Sequence, residues 1–432
     1  MPITFIRVRV FRILMIICLA SLWIPYHVNA EDSTKTGSLD ALPTLNVKSA
    51  ILLDAATGQI IYATNENQAF PPASMAKMMT EYMVMDAVKS GKIKWDDIVT
   101  TSDYASQVVG SKALLAVGEQ LTVKEMFTAM AIYSANDATI ALAEYIGGSE
   151  DAFAKLLNER ARSFGLSKDA NFINATGLSR ADMAEHASLD LPGETMLTAK
   201  DAAIIGWHIV HDHPEALEFT KMKEYKLRDR DDKPMINWDW MVEGNKDNLY
   251  LKKYAYEGLD GLKTGHTSEA GFCFTGSAVR NGMRLISTVM GTESEPQRFE
   301  ETRKLLDYGF NNFELRTIVP ANTTLVQMPF ITVKKGVLTD LPVVTKSDVR
   351  MMVKKGAQST PYDVKVEILP DEQRTAPIAN VTKLGSATIT YNGVAEQVDL
   401  VSSEQTDEAG WFRLFFRAIG QLIVDLWHSL FG

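Results

Sequence analysis

Cysteine is nearly missing from this chain, with two residues in 432, Cys18 and Cys273. Cys18 lies in an N-terminal segment where Arg7, Arg9 and Arg12 precede an apolar run from Ile13 to Ile24 and Val28-Asn29-Ala30 follows. A basic flank, a short apolar core and small residues at the end make a secretory signal, cut after Ala30. Cys18 follows Ile17 rather than a small residue, so lipidation there is not expected. Cleavage leaves Cys273 alone, which excludes an intrachain disulfide and makes the fold stand on its core. Within Phe272-Cys273-Phe274 that thiol is expected to be buried and structural.

Long apolar runs are lacking as well. The signal's apolar core is too short for the roughly 20 residues that span a bilayer. Basic charge is also short: 44 Lys and Arg stand against 54 Asp and Glu, a net charge of −10. Three of those basic residues and no acidic one precede residue 31, so the processed chain carries −13. Nucleic acid is not an expected partner for that balance. Histidine is sparse, and its one cluster, His211-Asp212-His213-Pro214, has two ligands without a supporting carboxylate pattern, so neither a zinc hydrolase nor another metal or cofactor enzyme is expected.

What is present is organised. The length implies two or more domains. After the signal (1–30) and a flexible N-terminal segment (31–44), residues 45–313 mix strands and helices. A hairpin is expected from Ala50 to Leu53 and Gln59 to Ala63, and then Pro71-Pro72 halts the chain. Ser74 is expected to open a largely apolar, buried helix to about Val88. Helical stretches from Val123 to Ile146, broken near Ser134, and from Ala152 to Phe164 follow. A second hairpin turns at Asn281-Gly282, and Gln297 to Tyr308 forms the last helix of this part. Residues 314–402 carry short alternating runs, which read as a small all-β sandwich. A polar acidic linker (403–409) leads to residues 410–432, where Arg413, Arg417, Gln421, Asp425 and His428 share one narrow helical face and apolar residues cover the rest. A charge at almost every turn disfavours spanning a membrane, so this helix is expected to lie in the interface rather than on the protein's own domain.

Three motifs carry chemistry: Ser74-Met75-Ala76-Lys77, Ser134-Ala135-Asn136 and Lys263-Thr264-Gly265. Ser-x-x-Lys and Ser-x-Asn each arise about once or twice by chance in such a chain, and Lys-Thr-Gly in roughly one chain of ten. Each residue alone has a bland reading as helix cap, solvated lysine, turn or surface ion pair. Lys35-Thr36-Gly37, a stray copy before the serine, shows that order and setting matter. The copy at Lys263 precedes an apolar hairpin strand, and a strand edge can receive an extended substrate. Together the three make a serine acyl-transfer site in which lysine replaces histidine as activator.

With Pro71-Pro72-Ala73 before the first motif, Asp137-Ala138 after the second, and Asp260-Gly261-Leu262 and His266-Thr267 around the third, the chain resembles the low-molecular-mass penicillin-binding proteins, serine-type D-alanyl-D-alanine carboxypeptidases of the penicillin-binding protein 5/6 kind. The resemblance implies an α+β fold, with a serine β-lactamase/penicillin-binding-protein-like domain of antiparallel sheet and helices, then a small all-β sandwich and a C-terminal amphipathic membrane helix. It implies that Ser74 attacks the penultimate D-alanine of a peptidoglycan stem peptide, with Lys77 as the base and Ser134 relaying the proton. Asn136 would bind the peptide carbonyl, and the backbone N–H groups of Ser74 and His266 would form the oxyanion hole. Lys263, Thr264 and Arg298 would face the terminal carboxylate, beside Gly265. It further implies acylation by β-lactams, residence on the periplasmic face of the inner membrane, and a role in cell-wall maturation and cell shape. The stretch Asn174-Ala175-Thr176-Gly177-Leu178 lacks the proline usual after the Asn, and no residue of that loop is assigned. Two alternatives stand beside this: a class A-like serine β-lactamase, disfavoured because Ala154 stands where Leu157-Asn158 would require Glu, and a noncatalytic peptidoglycan-binding sensor, disfavoured by intact Ser74 and Lys77.

Overall fold

The structure is a computed structural model and describes residues 42–431 apart from residue 189. The signal segment with Cys18, residues 31–41 and the stray Lys35-Thr36-Gly37 lie outside the described residues.

Five antiparallel strands form the N-terminal sheet: β1 (Ser49–Asp54), β2 (Ile60–Thr64), β3 (Leu259–Thr267), β4 (Gly271–Arg280) and β5 (Met283–Thr292), in spatial order β2-β1-β5-β4-β3. The first and last segments of this region therefore meet at the sheet's centre, and β3 is left at an edge. Period-two alternation decides the layers. Ile51, Leu53, Leu262, Cys273, Ile286 and Met290 face one core, whereas Ala50, Leu52, Leu259, Phe274, Leu285 and Val289 face another. The first core is closed by helices α1 (Lys77–Lys89), α2 (Val123–Tyr133), α3 (Asn136–Gly147), α4 (Glu150–Ser163) and α5 (Ala199–Asp212). The second is closed by α6 (Glu295–Asn312) through Phe299, Leu305 and Leu306. Each such fully buried side chain contributes about 1.5–3 kcal/mol. One or two of them match the roughly 2–4 kcal/mol that a disulfide adds, so a core of this size does without one.

Local chemistry sets the element ends. Thr122 and Glu125 form a reciprocal capping box that starts α2. Asn281 and Gly282 take positive φ angles of 51° and 78°, the backbone of a type I′ turn, and join β4 to β5. The break expected near Ser134 falls at that residue, which adopts a left-handed φ of 60° and ends α2 before α3 begins at Asn136.

The C-terminal region packs a two-stranded sheet, β6 (Phe313–Val319) with β9 (Val349–Lys354), on a five-stranded one. The larger sheet contains β7 (Phe330–Thr332), β8 (Asp340–Thr345), β10 (Asp363–Ile368), β11 (Lys383–Tyr391) and β12 (Val394–Ser402), in order β7-β8-β12-β11-β10. Val319, Val349 and Met351 from the small sheet share a core with Ile331, Leu341, Ile389 and Leu400 from the large one.

Residues 403–409 are not the free linker expected from their polarity. Thr406 and Ile378 exchange backbone hydrogen bonds, Val337 N–H bonds Asp407 O, and Ala409 N–H bonds Lys335 O. Polar composition describes the side chains, and these bonds are made by backbone. Helix α7 (Trp411–Phe431) follows, and Arg417 in its second turn donates to the carbonyls of Gly336 and Val337. Its large side chains Trp411, Phe412, Phe415, Phe416 and Leu422 are exposed. Among the described residues, no helix is long and apolar enough to cross a membrane.

Candidate active site

Ser74 does not open its helix as expected. It sits in a 3-10 turn, Ala73–Ala76, immediately before α1. The difference has a use: in a 3-10 turn residues i and i+3 eclipse, which sets Ser74 directly against Lys77. Lys77 Nζ lies 2.9 Å from Ser74 Oγ and 2.8 Å from the carbonyl oxygen of Thr176. The Lys77 side chain is fully buried.

Thr176 belongs to the loop from which the sequence assigned nothing. Asn174 shapes it, with Oδ1 accepting from the N–H groups of Thr176 (3.0 Å) and Gly177 (2.7 Å) and Nδ2 donating to Leu178 O (2.8 Å). Gly177 has φ of 78°, and a Cβ there would fall 2.1 Å from Ala73 O. The loop thus leans on the serine turn with no room for a side chain. Buried Glu150 holds it from behind, accepting from Ala175 N–H (3.0 Å) and from the Tyr104 hydroxyl (2.6 Å).

Burial, and then the Lys263 ammonium, hold Lys77 well below the usual lysine range. Lys263 is itself lowered to about 8 by burial, with Glu81 and Asp239 opposing the drop. Burial raises Glu81 to about 8 and Asp239 to about 7, against the pull of nearby cations. Glu81 follows Lys77 by one helical turn on α1, and its Oε1 has no hydrogen-bond partner among the described residues. Sequence reasoning missed both acids. The available signal was a glutamate four residues after the motif lysine on a helix otherwise apolar enough to be buried.

The second motif forms the opposite wall. Ser134 Oγ is buried and has no partner among the described residues. Asn136 Nδ2 donates to Val109 O at 2.6 Å, which fixes its amide and leaves one N–H for a ligand. Asp137 accepts from the N–H groups of Ala113 (2.9 Å) and Leu115 (3.0 Å) and ties the overhanging loop to the start of α3.

The third motif lies on edge strand β3. Alternation along the strand sends Lys263 and Thr264 to opposite faces. Thr264 lines the cleft, while Lys263 is buried beneath it. His266 is exposed and its ring stacks on Phe272, with centroids 3.9 Å apart. Arg298 on α6 is buried, pairs with Glu295 at 2.8 Å and leaves Nε without a partner among the described residues. Burial lowers its guanidinium to about 10.

The cleft encloses about 380 Å³ and brings Ser74, Ser134, Asn136, Thr264, Gly265, His266 and Arg298 together. Trp238, not anticipated, adds an aromatic wall; its Nε1 donates to Tyr133 O at 3.0 Å and its ring stacks on Tyr133. Elsewhere, Asp212 takes His208 Nδ1 at 2.9 Å and His211 Nδ1 at 3.0 Å, and no group of ligating side chains among the described residues is arranged for a metal. Burial pushes the Cys273 thiol up to about 11, which makes it inert.

The family model for D-alanyl-D-alanine carboxypeptidases matches residues 35–294, and that for the C-terminal domain of penicillin-binding protein 5 matches residues 313–408. The D-alanyl-D-alanine carboxypeptidase DacF of Bacillus subtilis is 34% identical over 413 residues, covering 95% of this chain and 98% of that protein. A solved peptidoglycan synthesis regulatory factor (PBP3) from Streptococcus pneumoniae is 28% identical with a TM-score of 0.71, covering 84% of this chain and all of its own. The ampicillin-bound penicillin-binding protein D2 of Listeria monocytogenes is 28% identical with a TM-score of 0.53, covering 62% of this chain and 99% of its own.

Proposed function

This chain belongs to the D-alanyl-D-alanine carboxypeptidase family, and from that premise we propose how its residues divide the reaction. The protein is a serine D-alanyl-D-alanine carboxypeptidase of the penicillin-binding type, acting on peptidoglycan stem peptides. Ser74 Oγ attacks the carbonyl carbon of the penultimate D-alanine while neutral Lys77 takes its proton; such base catalysis is worth about 10²–10⁴-fold. The observation that carries this reading is the 2.9 Å separation of Lys77 Nζ and Ser74 Oγ on a fully buried lysine.

The N–H groups of Ser74 and His266 receive the oxyanion, each donor supplying about 3–4 kcal/mol in related chemistry. Ser134 passes the proton to the leaving D-alanine nitrogen as the C–N bond breaks. Asn136 holds the preceding peptide carbonyl, and Thr264 and Arg298 bind the free carboxylate, with the Lys263 charge beneath. Water then hydrolyses the ester and frees Ser74. β-Lactams acylate the same oxygen, a reading supported by the drug-bound Listeria relative.

Secretion, residence on the periplasmic face of the inner membrane and a role in cell-wall maturation and cell shape are part of this proposal. The N-terminal pattern Arg7 to Ala30 and the exposed apolar surface of α7 support them. The test is to incubate the signal-less protein with diacetyl-L-Lys-D-Ala-D-Ala and with penicillin, beside Ser74→Ala. D-Alanine release by the parent alone, with a long-lived penicillin adduct, is the expected result. Rapid penicillin turnover without D-alanine release would instead identify a β-lactamase, and an inert parent a sensor.

A further inference from the structure

A second cavity of about 200 Å³ adjoins the cleft and shares Gly177, Leu178 and Thr267 with it. Pro71, just before the serine turn, lines it, as do Glu194 and Glu269. Both side chains are solvent-exposed, and among the described residues neither carboxylate has a cation within ion-pair distance. Lys48 and Arg180, whose side chains or backbone touch these two residues or their neighbours, are engaged with carbonyls. Lys48 donates to the backbone carbonyl of Glu269 at 3.3 Å, and the Arg180 guanidinium serves the carbonyls of Ser188, Leu191 and Gly193. Glu194 is held in place, with Oε2 accepting Arg180 N–H at 2.9 Å and its own carbonyl accepting from Asn171 Nδ2 at 2.8 Å.

The position of this cavity is what gives it meaning. A substrate acylating Ser74 and lying along β3 brings the residue before its D-alanine pair past Thr267, since consecutive α-carbons are only about 3.8 Å apart. A lysine-length side chain at that residue has the reach to enter a cavity that opens from the same wall. Its methylenes would lie against Pro71 and Leu178, and an ammonium at its tip would meet the two carboxylates.

We propose that the cavity between Thr267 and the Gly177–Leu178 loop is a specificity subsite for a side chain ending in a free ammonium, on the residue that precedes the D-alanine pair. The inference rests on the carboxypeptidase reading above and adds the feature that selects among stem peptides. A side-chain tip whose ammonium is acylated or accompanied by a carboxylate is the poorer ligand.

The test compares two tripeptides, Nα-acetyl-L-Lys-D-Ala-D-Ala with a free ε-amine and its Nα,Nε-diacetyl form, with D-alanine release as readout. The free amine should raise kcat/KM by about 3- to 10-fold, the size two solvent-exposed ion pairs provide, and the advantage should shrink as salt is added. In the double variant Glu194→Gln/Glu269→Gln the ratio of the two substrates should fall to about one, as expected when the only charge-dependent contact is gone. A parent that turns over both peptides equally overturns the subsite and leaves the carboxypeptidase standing. A ratio that persists in the double variant also overturns it, and release from neither peptide overturns the carboxypeptidase reading itself. Because both substitutions are exposed and isosteric, equal penicillin acylation by parent and variant verifies that the fold survives.

Discussion

Gly265 on edge strand β3 is packed so closely on Pro72 that a single Cβ at Gly265 would lie 2.4 Å from the Pro72 carbonyl oxygen and 3.1 Å from Met75 N. The third motif and the serine turn are therefore in backbone contact. Substitution Gly265→Ala should push strand and turn apart by a large fraction of an ångström, and misplacement of about 1 Å can cost 100-fold in rate. The expected result is a fall of about that size in the second-order rate of penicillin acylation. Overpacking of this kind also costs about 1–3 kcal/mol, so the melting temperature should drop by several degrees. An alanine variant acylated at the parental rate would mean that the contact is unimportant.

Lys77→Met separates catalysis from stability. The folded state keeps this lysine's pKa well below its unfolded value, so between the two values the unfolded chain binds the extra proton. Stability from this group accordingly rises as pH climbs from the depressed folded pKa toward about 10.4, and at neutral pH its burial is destabilising. Methionine should cost at least about 100-fold in acylation, yet leave the neutral-pH melting temperature level or higher. A clear loss of stability would show that the bonds to Ser74 and Thr176 outweigh the cost of burying the amine.

Glu81→Gln should move the alkaline limb of the acylation profile. Lys263 releases its proton at about 8 with Glu81 among the groups that raise it. Removing that carboxylate lowers the Lys263 pKa further, so the charge beneath the cleft is lost at a lower pH. Penicillin acylation measured from pH 6 to 10 should therefore decline earlier in the variant. An unchanged alkaline limb would dissociate Glu81 from Lys263.

Arg298→Gln should weaken recognition of the substrate's free end. Loss of a charge-assisted bond worth about 1.5–3 kcal/mol predicts a KM for diacetyl-L-Lys-D-Ala-D-Ala raised by about 10- to 150-fold, with a smaller change in kcat. The same tripeptide with an amidated C-terminus should show little difference between parent and variant. Equal losses on both substrates would point to a structural role, through the ion pair with Glu295.

Deletion of residues 410–432 should release the protein from anionic phospholipid vesicles in a sedimentation assay while soluble D-alanine release continues. Retention on vesicles would remove α7 as the membrane contact.

Much of this architecture is legible in the residues themselves. Ser74 and Lys77 are marked by spacing, the break at Ser134 by its Ser-Ala-Asn signature, and the β4–β5 hairpin by Asn281-Gly282, because each depends on side-chain identity or a special φ. The Thr176 carbonyl was not legible, since any residue carries the same oxygen and only the fold of the Asn174 loop aims it at Lys77. Asp239 and Trp238 arrive from a distant segment with little regular structure, so no periodicity marks them. Residues 403–409 misled for the same reason as Thr176: their acidic side chains are polar, while the bonds that fasten them belong to the main chain.

The anchorage of Arg417 to the carbonyls of Gly336 and Val337 has a mechanical consequence. Seven free residues would let the attached domains wander over about 13–16 Å, as a flexible chain of that length does. With residues 403–409 bonded into the β domain and α7 clamped at its second turn, that tether length vanishes. Any surface that captures α7 captures the β domain's bearing with it, so the protein is mounted on a bracket rather than moored on a rope.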